Sequence, residues 1–447
     1  MKTVRIANGQ GFWGDSVDAP KALIEYGKID YLTLDYLAEV TLSVMQRQKI
    51  KDNNKGYAAD FIDLINENFN LILNNKIKII TNAGGVNPDK CKEKIIDIAE
   101  KHQKSIKIAI VKGDDIFSKI EEFVSGGEKF NNLYSGNDFN LIKEDVYSAN
   151  VYIDSFSIAE ALSSGADIVI CGRISDPGLV VGPCIYEFGW GRDDFDKLAS
   201  ATVAGHILEC GAQCTGGNHS KWQNVKGFSN IGYPIAKVEE NGDFDIIKPE
   251  NSGGLINRET VIEQILYELG DPRKYISPDV CVDFTSLSLI DLDNDCVRIE
   301  NVKGFKPTNT FKVSVTYFNG YKASGQLTVS GPNAIEKAKL IEKIIWKKLD
   351  SCNFVYEERL AELVGVSSCM KDIQPVPKKI NEVVLRLSVK SFDKNAVEKF
   401  SKEISPLITA GPPGITGFSE GRPKVREIIA FWPTLIDKKL VKTEVFV

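Results

Sequence analysis

Nowhere in these 447 residues does an apolar run approach the roughly 18 residues that a membrane-spanning helix needs. Basic blocks are missing too. The 55 Lys and Arg residues are interleaved with 61 Asp and Glu, giving a formal charge of −6, so the electrostatic footprint of nucleic-acid binding is absent. The nine cysteines stand singly, an odd number with no dense framework, which fits reduced thiols in a reducing compartment. The chain enters a strand-like run at Val4, without an apolar leader. These absences predict a cytoplasmic protein with no membrane and no nucleic-acid partner. Histidine is scarce: there are three in the whole chain, so each is a candidate for chemistry.

What is present is an ordinary globular balance, 43% hydrophobic and 26% charged, in a chain longer than one hydrophobic core usually supports. Up to about residue 210, β-branched runs alternate with glycine-bearing loops and amphipathic stretches, the pattern of βα units around a mainly parallel sheet. Val4–Ala7 leads into Gly9-Gln10-Gly11-Phe12-Trp13-Gly14-Asp15, and Tyr31–Leu34 precedes Asp35. Ile77–Thr81 opens onto Asn82-Ala83-Gly84-Gly85, Ile106–Val111 onto Gly113-Asp114-Asp115, and Asp167–Ile170 onto Cys171-Gly172-Arg173. Ser157 and Glu160 read as a capping box. From about Gly232 the texture changes to alternating strands with Asn-Gly turns at Asn241-Gly242 and Asn319-Gly320, each a hairpin signal. The expected organisation is therefore an α/β domain over residues 1–230 and an α+β lobe over residues 231–447.

Ligands of parallel α/β sheets bind beyond the carboxyl ends of the strands. The loops predicted there carry Asn8, Gly9, Gly11, Gly14, Asn82, Gly84, Gly85 and Arg173 as candidate substrate contacts. The glycines either admit a ligand to the backbone or simply make tight turns. Arg173 either holds a carboxylate or phosphate bidentately or forms a structural pair with Asp176. Neither a full dinucleotide fingerprint nor a P-loop lysine pattern is present. The densest cluster runs from Ala204 to His219 and holds two of the three histidines. A helix over Asp194–Cys210 would place His206 and Cys210 on one face, with Glu209 three residues from His206. Three readings stand for this cluster: acid–base or nucleophilic use of His206, Glu209 and Cys210 assisted by Asp15 or Asp176; a zinc site from His206, Cys210, Cys214 and His219; and plain core packing. The Gly/Pro-rich stretch Thr409–Phe418, with Gly421-Arg422-Pro423, is expected to be a rigid loop at a subunit contact, or else a lid.

Taken together, Arg5–Asp15, Asn82–Gly85, Gly172–Asp176, Gly205-His206 with Glu209–Gln213, and Gly411–Gly414 with Gly421–Pro423 resemble the acyclic terpene utilisation (AtuA-type) family, in order over nearly the whole chain. The resemblance implies bacterial catabolism of acyclic terpenes and related branched acids, often as CoA thioesters. Some relatives carry a further small C-terminal domain or work beside a small separate protein, so a small partner subunit is expected; a homo-oligomer is expected separately, from the subunit contact assigned to the Gly/Pro-rich stretch. No cofactor is implied firmly, though a divalent metal, or CoA as substrate carrier, is compatible. The expected activity is a lyase or hydratase acting on a branched or hydroxy-carboxylate or its CoA thioester. A non-catalytic acyl-CoA-binding or scaffolding subunit is the alternative, and a third is a divalent-metal-dependent hydroxy-acid lyase using Asp15, Asp35, Asp114 and Asp176 as oxygen ligands.

Overall fold

The computed structural model describes residues 2–366, 368–370, 373, 380–417 and 421–447. They form two compact units, Met1–Thr316 with Phe431–Val447, and Tyr317–Ala430. The first is built on the β-branched runs of the sequence: β1 (Thr3–Gln10), β2 (Tyr31–Leu34), β3 (Lys78–Thr81), β4 (Ile108–Lys112), β5 (Val146–Val151) and β6 (Ile168–Cys171). Strands β1, β2, β3, β6 and β4 lie side by side in that order, all parallel. Each has both faces covered, which is why its sequence is a continuous apolar run rather than an alternation. One face is packed by α1 (Asp18–Tyr26), α3 (Ala59–Asn74) and α4 (Pro88–Lys101), which seat Leu23, Phe61, Phe69 and Ile95 on Leu32, Leu34, Ile79 and Ile170. Between them α2 (Thr41–Lys51) follows β2, and α5 (Ile120–Ser125) and α6 (Phe156–Ser163) flank β5.

The other face receives α7 (Gly178–Phe188) and α8 (Phe195–Leu208). Every residue of α8 from Leu198 to Leu208 is buried, as its all-round apolar and small composition dictates. Gly205 is where α8 meets the start of α7, since an added Cβ would stand 2.5 Å from the Pro177 carbonyl oxygen.

The change of texture near Gly232 is not a domain boundary. Strands β7 (Ile235–Glu239) and β8 (Phe244–Ile247) form the expected hairpin at Asn241-Gly242, but β7 then pairs antiparallel with β1 and extends the same sheet. After α9 (Arg258–Leu266), β9 (Tyr275–Ile276) and β10 (Cys281–Asp283) join β13 (Lys303–Phe305) in a small sheet, while β11 (Ser288–Leu292) and β12 (Cys296–Glu300) lengthen the large one. Its opposite edge is closed by the C-terminal β19 (Glu444–Phe446) on β4. Local pattern cannot disclose such pairings, because an edge strand reads alike whichever sheet it joins.

Asn319-Gly320 is not a hairpin either. Strand β14 (Thr310–Ser330) runs through it as one 21-residue strand. Gly320 supplies a positive φ of 91°, and the two halves find separate partners instead of each other. The first half lies beside β5, with Ser148 and Thr316 hydroxyls 2.7 Å apart. Tyr321–Ser330 pairs antiparallel with β16 (Glu382–Ser391) in the second unit, flanked by β15 (Glu358–Val364) and β17 (Ile415–Thr416). There alternate residues Ala323, Leu327, Val329, Leu385 and Leu387 are buried beneath Ile341 and Ile345 of α10 (Ala334–Asp350) and Phe400 of α11 (Lys394–Ile404). The short α12 (Leu407–Ala410) and β18 (Arg426–Asp437) complete the chain. Nor is Ser157 a cap: α6 starts one residue earlier, and Ser155 at its head donates to Asp279 (2.8 Å) instead.

Among the described residues no helix is long and apolar enough to cross a membrane. Phe418, the end of the Gly/Pro-rich stretch, lies outside the described residues.

Candidate functional site

The carboxyl ends of β1, β2, β3 and β6 bring Asn8, Asp35, Asn82 and Arg173 to one edge of the sheet. Asn82 Nδ2 donates to Asp35 Oδ1 (2.7 Å), and its Oδ1 accepts from the Tyr36 backbone (2.7 Å). The same Asp35 oxygen accepts from Leu37 N (3.0 Å). Asn82 is thus a positioning residue that fixes the Asp35 carboxyl. Asn8 does the same for the end of α8, donating through Nδ2 to the carbonyls of Leu208 (2.9 Å) and Glu209 (3.1 Å).

Arg173 is 1% exposed. Its guanidinium stands 2.8 Å from Asp176 Oδ1, lies 4.1 Å over the Tyr152 ring and donates to the Leu37 carbonyl. The structural pair with Asp176 is therefore formed, and Nε is buried without a hydrogen bond.

Glu209 follows α8 directly and lines a crevice together with Asn8, Asp35, Asp176, Gly205 and Leu208. His206 stands behind it. The imidazole Nδ1 is 2.9 Å from Glu209 Oε1, close but not aligned as a hydrogen bond, and Nε2 is 3.2 Å from the Ile265 carbonyl. The rings of Tyr275 (5.6 Å) and Phe284 (5.4 Å) enclose it, and Gln264 Nε2 donates to the His206 carbonyl (2.9 Å). His206 itself does not line the crevice, and Glu209 is thus the member of the pair that does.

Burial sets the charges here. It pushes the Asp35 carboxyl up to about 7, with Asp176 adding to the rise and Arg173 opposing it. Burial also raises Glu209, against the pull of His206. For His206 burial works downward, but the Glu209 carboxylate outweighs it and the imidazole lies above its ordinary value. Each of the two therefore holds its proton to a higher pH than it would free in water. Cys210 is pushed up to about 12, by burial first and Glu209 second, so its thiol stays protonated and is a poor nucleophile at neutral pH.

A pH dependence follows. Asp35 in the folded protein keeps a proton that the unfolded chain releases near pH 4, so its contribution to stability is full below that and is lost as pH rises to about 7. Asp35→Asn can keep both accepted hydrogen bonds while removing the charge. Its melting temperature is expected to exceed wild type by a few degrees at pH 8 and to match it near pH 4.5, as scanning calorimetry at the two pH values would show.

The other residues singled out from the sequence divide by position. Asp15 is engaged in its own loop, accepting from Gly11 N (2.9 Å) and the Tyr233 hydroxyl (2.6 Å). Asp114 is buried, accepting from Arg173 N (2.8 Å) and Asn150 (2.9 Å). The four aspartates Asp15, Asp35, Asp114 and Asp176 therefore do not converge. His219 pairs with Glu263 (2.7 Å) rather than with His206, Cys210 and Cys214. Among the described residues no group of three or more His, Cys, Asp or Glu side chains is arranged to hold a metal ion.

The glycines have packing reasons. Gly9 faces Pro20, Leu32 and Leu34; Gly84 faces Ile170 and Pro88; Gly85 has positive φ against Met45. Gly14 makes a turn at φ 100°. Gly11 lets the Glu209 carbonyl oxygen approach, at 2.8 Å from where a Cβ would stand. Gly172 makes room for the Asp114 carboxylate, which an added Cβ would overlap. Gly172→Ala is expected to cost about 1–3 kcal/mol, read as a lower urea midpoint at unchanged slope.

Sequence reasoning missed Glu39, Tyr152, Gln264, Tyr275 and Lys312. Lys312 lies 4.8 Å over the Tyr152 ring on the side of Glu39 (3.9 Å). Its chain position, inside an alternating strand 139 residues after Arg173 (312 − 173), carries no local signal of this neighbourhood.

Buried carboxyls, a buried imidazole and a buried guanidinium at the carboxyl edge of a parallel sheet define an α/β protein with a polar site on its strand-end loops. The chain belongs to the acyclic terpene utilisation family of AtuA proteins, whose family model matches residues 4–447. Membership ties it to acyclic terpene utilisation. Comparison with curated proteins returned no match, and neither did comparison with solved structures.

Proposed function

We propose that this chain is a catabolic enzyme that moves protons at a carbon beside the carbonyl of a small branched or hydroxy-carboxylate, or of its CoA thioester, in a lyase or hydratase reaction. The observation that carries the reading is the crevice that Glu209, Asp35 and Asp176 line together, where Glu209 Oε2 is buried without a hydrogen-bond partner. Such an atom is costly unless water or a ligand meets it.

For a dehydration the roles balance without any redox partner. Glu209, its charge governed by His206, accepts the proton from the α-carbon. The hydroxyl on the neighbouring carbon leaves as water with the proton held on Asp35, and a carbon–carbon double bond forms. A substrate carboxylate competes with the part-exposed Asp176 for Arg173.

The crevice has about 10 Å3 of room for water, one molecule's worth, so the surrounding loops must part to admit an acid. A thermal-shift panel of CoA, CoA thioesters, branched and hydroxy-carboxylates and divalent metals tests the reading, since ligand at about 100 times its Kd stabilises by about 2.7 kcal/mol. A shift with thioesters or acids is expected. A shift with divalent metal alone would favour the metal-dependent alternative, and binding without turnover would favour the scaffolding one.

A further inference from the structure

Outside this site, the second unit holds a pocket of about 400 Å3 along β14, lined by Lys322, Ser324, Gln326, Arg422, Lys424 and Arg426 among others. Its four cations have no ion-pair partner among the described residues. The contrast with the neighbouring strands of the same sheet is sharp. Arg386 is held by Glu362 (2.7 Å) and Lys390 by Glu358 (3.1 Å), while Arg359 reaches Asp350 (2.6 Å). A protein of net charge −6 thus neutralises the cations of β15 and β16 and leaves together those around the pocket, where mutual repulsion disfavours them unless an anion is bound.

The pocket is built rather than incidental. Its second wall is the segment Gly421-Arg422-Pro423, which the sequence marked and the strand-end site does not use, followed by Lys424. Pro423 is fixed by its carbonyl, which accepts from Ser401 Oγ (2.5 Å). It packs on Gly325, where an added Cβ would stand 2.9 Å from the proline ring. Gly421 turns the chain at φ 75°. The volume is that of a small-molecule site. Apart from Ala323, Gly325, Gly421 and Pro423 the lining is polar or cationic, which suits phosphates and not an acyl chain.

We propose that this pocket binds a multiply phosphorylated small molecule, its phosphates held by Lys322, Arg422, Lys424 and Arg426. The inference does not rest on the proposed reaction. Inorganic tripolyphosphate, CoA and ATP are the probes, titrated calorimetrically into the full chain, with adenosine as the uncharged control. Tripolyphosphate binding is expected, weakened at least tenfold in R422A/K424A and by raised salt, and unchanged in Glu209→Gln. All four cations are exposed, so R422A/K424A should keep the wild-type melting temperature, and R426A repeats the test if the double variant fails to fold. Tighter binding of CoA or ATP than of tripolyphosphate identifies a nucleotide as the occupant; equal binding assigns the recognition to the phosphates alone. No tripolyphosphate binding, or binding that these substitutions leave unchanged, overturns the proposal. A protein inactive on every acid yet binding tripolyphosphate would sink the proposed reaction and leave this site standing.

Discussion

Glu209→Gln is expected to lower turnover by about 10^2–10^4-fold, the usual worth of a positioned general acid or base, with little change in substrate affinity. Glutamine keeps the shape and the oxygen nearest His206 but cannot take up a proton. Because burial opposes the Glu209 charge, removing that charge should not destabilise the protein and is expected to raise its melting temperature at pH 8. Inactivity together with a retained or raised melting temperature therefore separates a chemical role from a structural one. His206→Gln is expected to act differently. Its imidazole stands against the Ile265 carbonyl and Glu209 and does not line the crevice, so its loss should displace the acidic limb of the pH–rate profile more than it lowers the maximal rate. Equal turnover in wild type and Glu209→Gln, measured on any substrate the panel identifies, would remove Glu209 from the mechanism.

Arg173→Met is expected to cost about 3–5 kcal/mol at pH 7, the range found when one member of a buried ion pair is removed, read as a lower urea midpoint. The guanidinium sits between Asp176 and the Leu37 carbonyl, over the Tyr152 ring, and it opposes the rise of Asp35. Methionine fills part of the volume but leaves Asp35 beside Asp176 with no cation as close. The part-exposed Asp176 regains water, which places the cost at the lower end of that range. Without the guanidinium the Asp35 carboxyl rises further and can escape by taking up a proton, so the deficit should shrink as pH falls towards about 7 and level off below it. Arg173→Lys keeps the charge but not the planar fork or the stacking, and should fall between. A loss under about 1 kcal/mol would place Arg173 with surface pairs of little consequence.

Much of the scaffold was legible because βα units carry their own signals. Continuous apolar runs marked β2, β3 and β6, and the helices around Leu23, Phe61 and Ile95 declared their buried faces by spacing. What was not legible was long-range. The antiparallel pairing of β7 on β1 and of β19 on β4 carries the large sheet past its parallel core, and nothing local distinguishes that from a separate lobe. Asn319-Gly320 misled because the turn signal presumes that its flanks pair with each other, and here each half of β14 has another partner.

The site was legible in part. Asp35, Asn82, Arg173 and Asp176 come to one strand-end edge, as their loops imply, and Glu209 joins them from the end of α8. Their division of labour was not readable, since Asn8 and Asn82 brace the backbone or another side chain, and His206 stands behind Glu209 without lining the crevice. Most of the glycines mark close packing of the protein on itself, such as Gly172 against Asp114. A scarce residue signals importance, but only coordinates show which way it faces.

The most direct test of the central claim is proton NMR of candidate acids and their CoA thioesters incubated with the protein in D2O, following loss of the hydrogen on the carbon beside the carbonyl. Wild type is expected to exchange that hydrogen for deuterium on at least one branched or hydroxy-substituted acid or thioester, and Glu209→Gln to exchange it at least 100-fold more slowly. Exchange that proceeds equally in both proteins, or no exchange on a compound that the protein demonstrably binds, would contradict the assignment of Glu209 as the group that moves the proton.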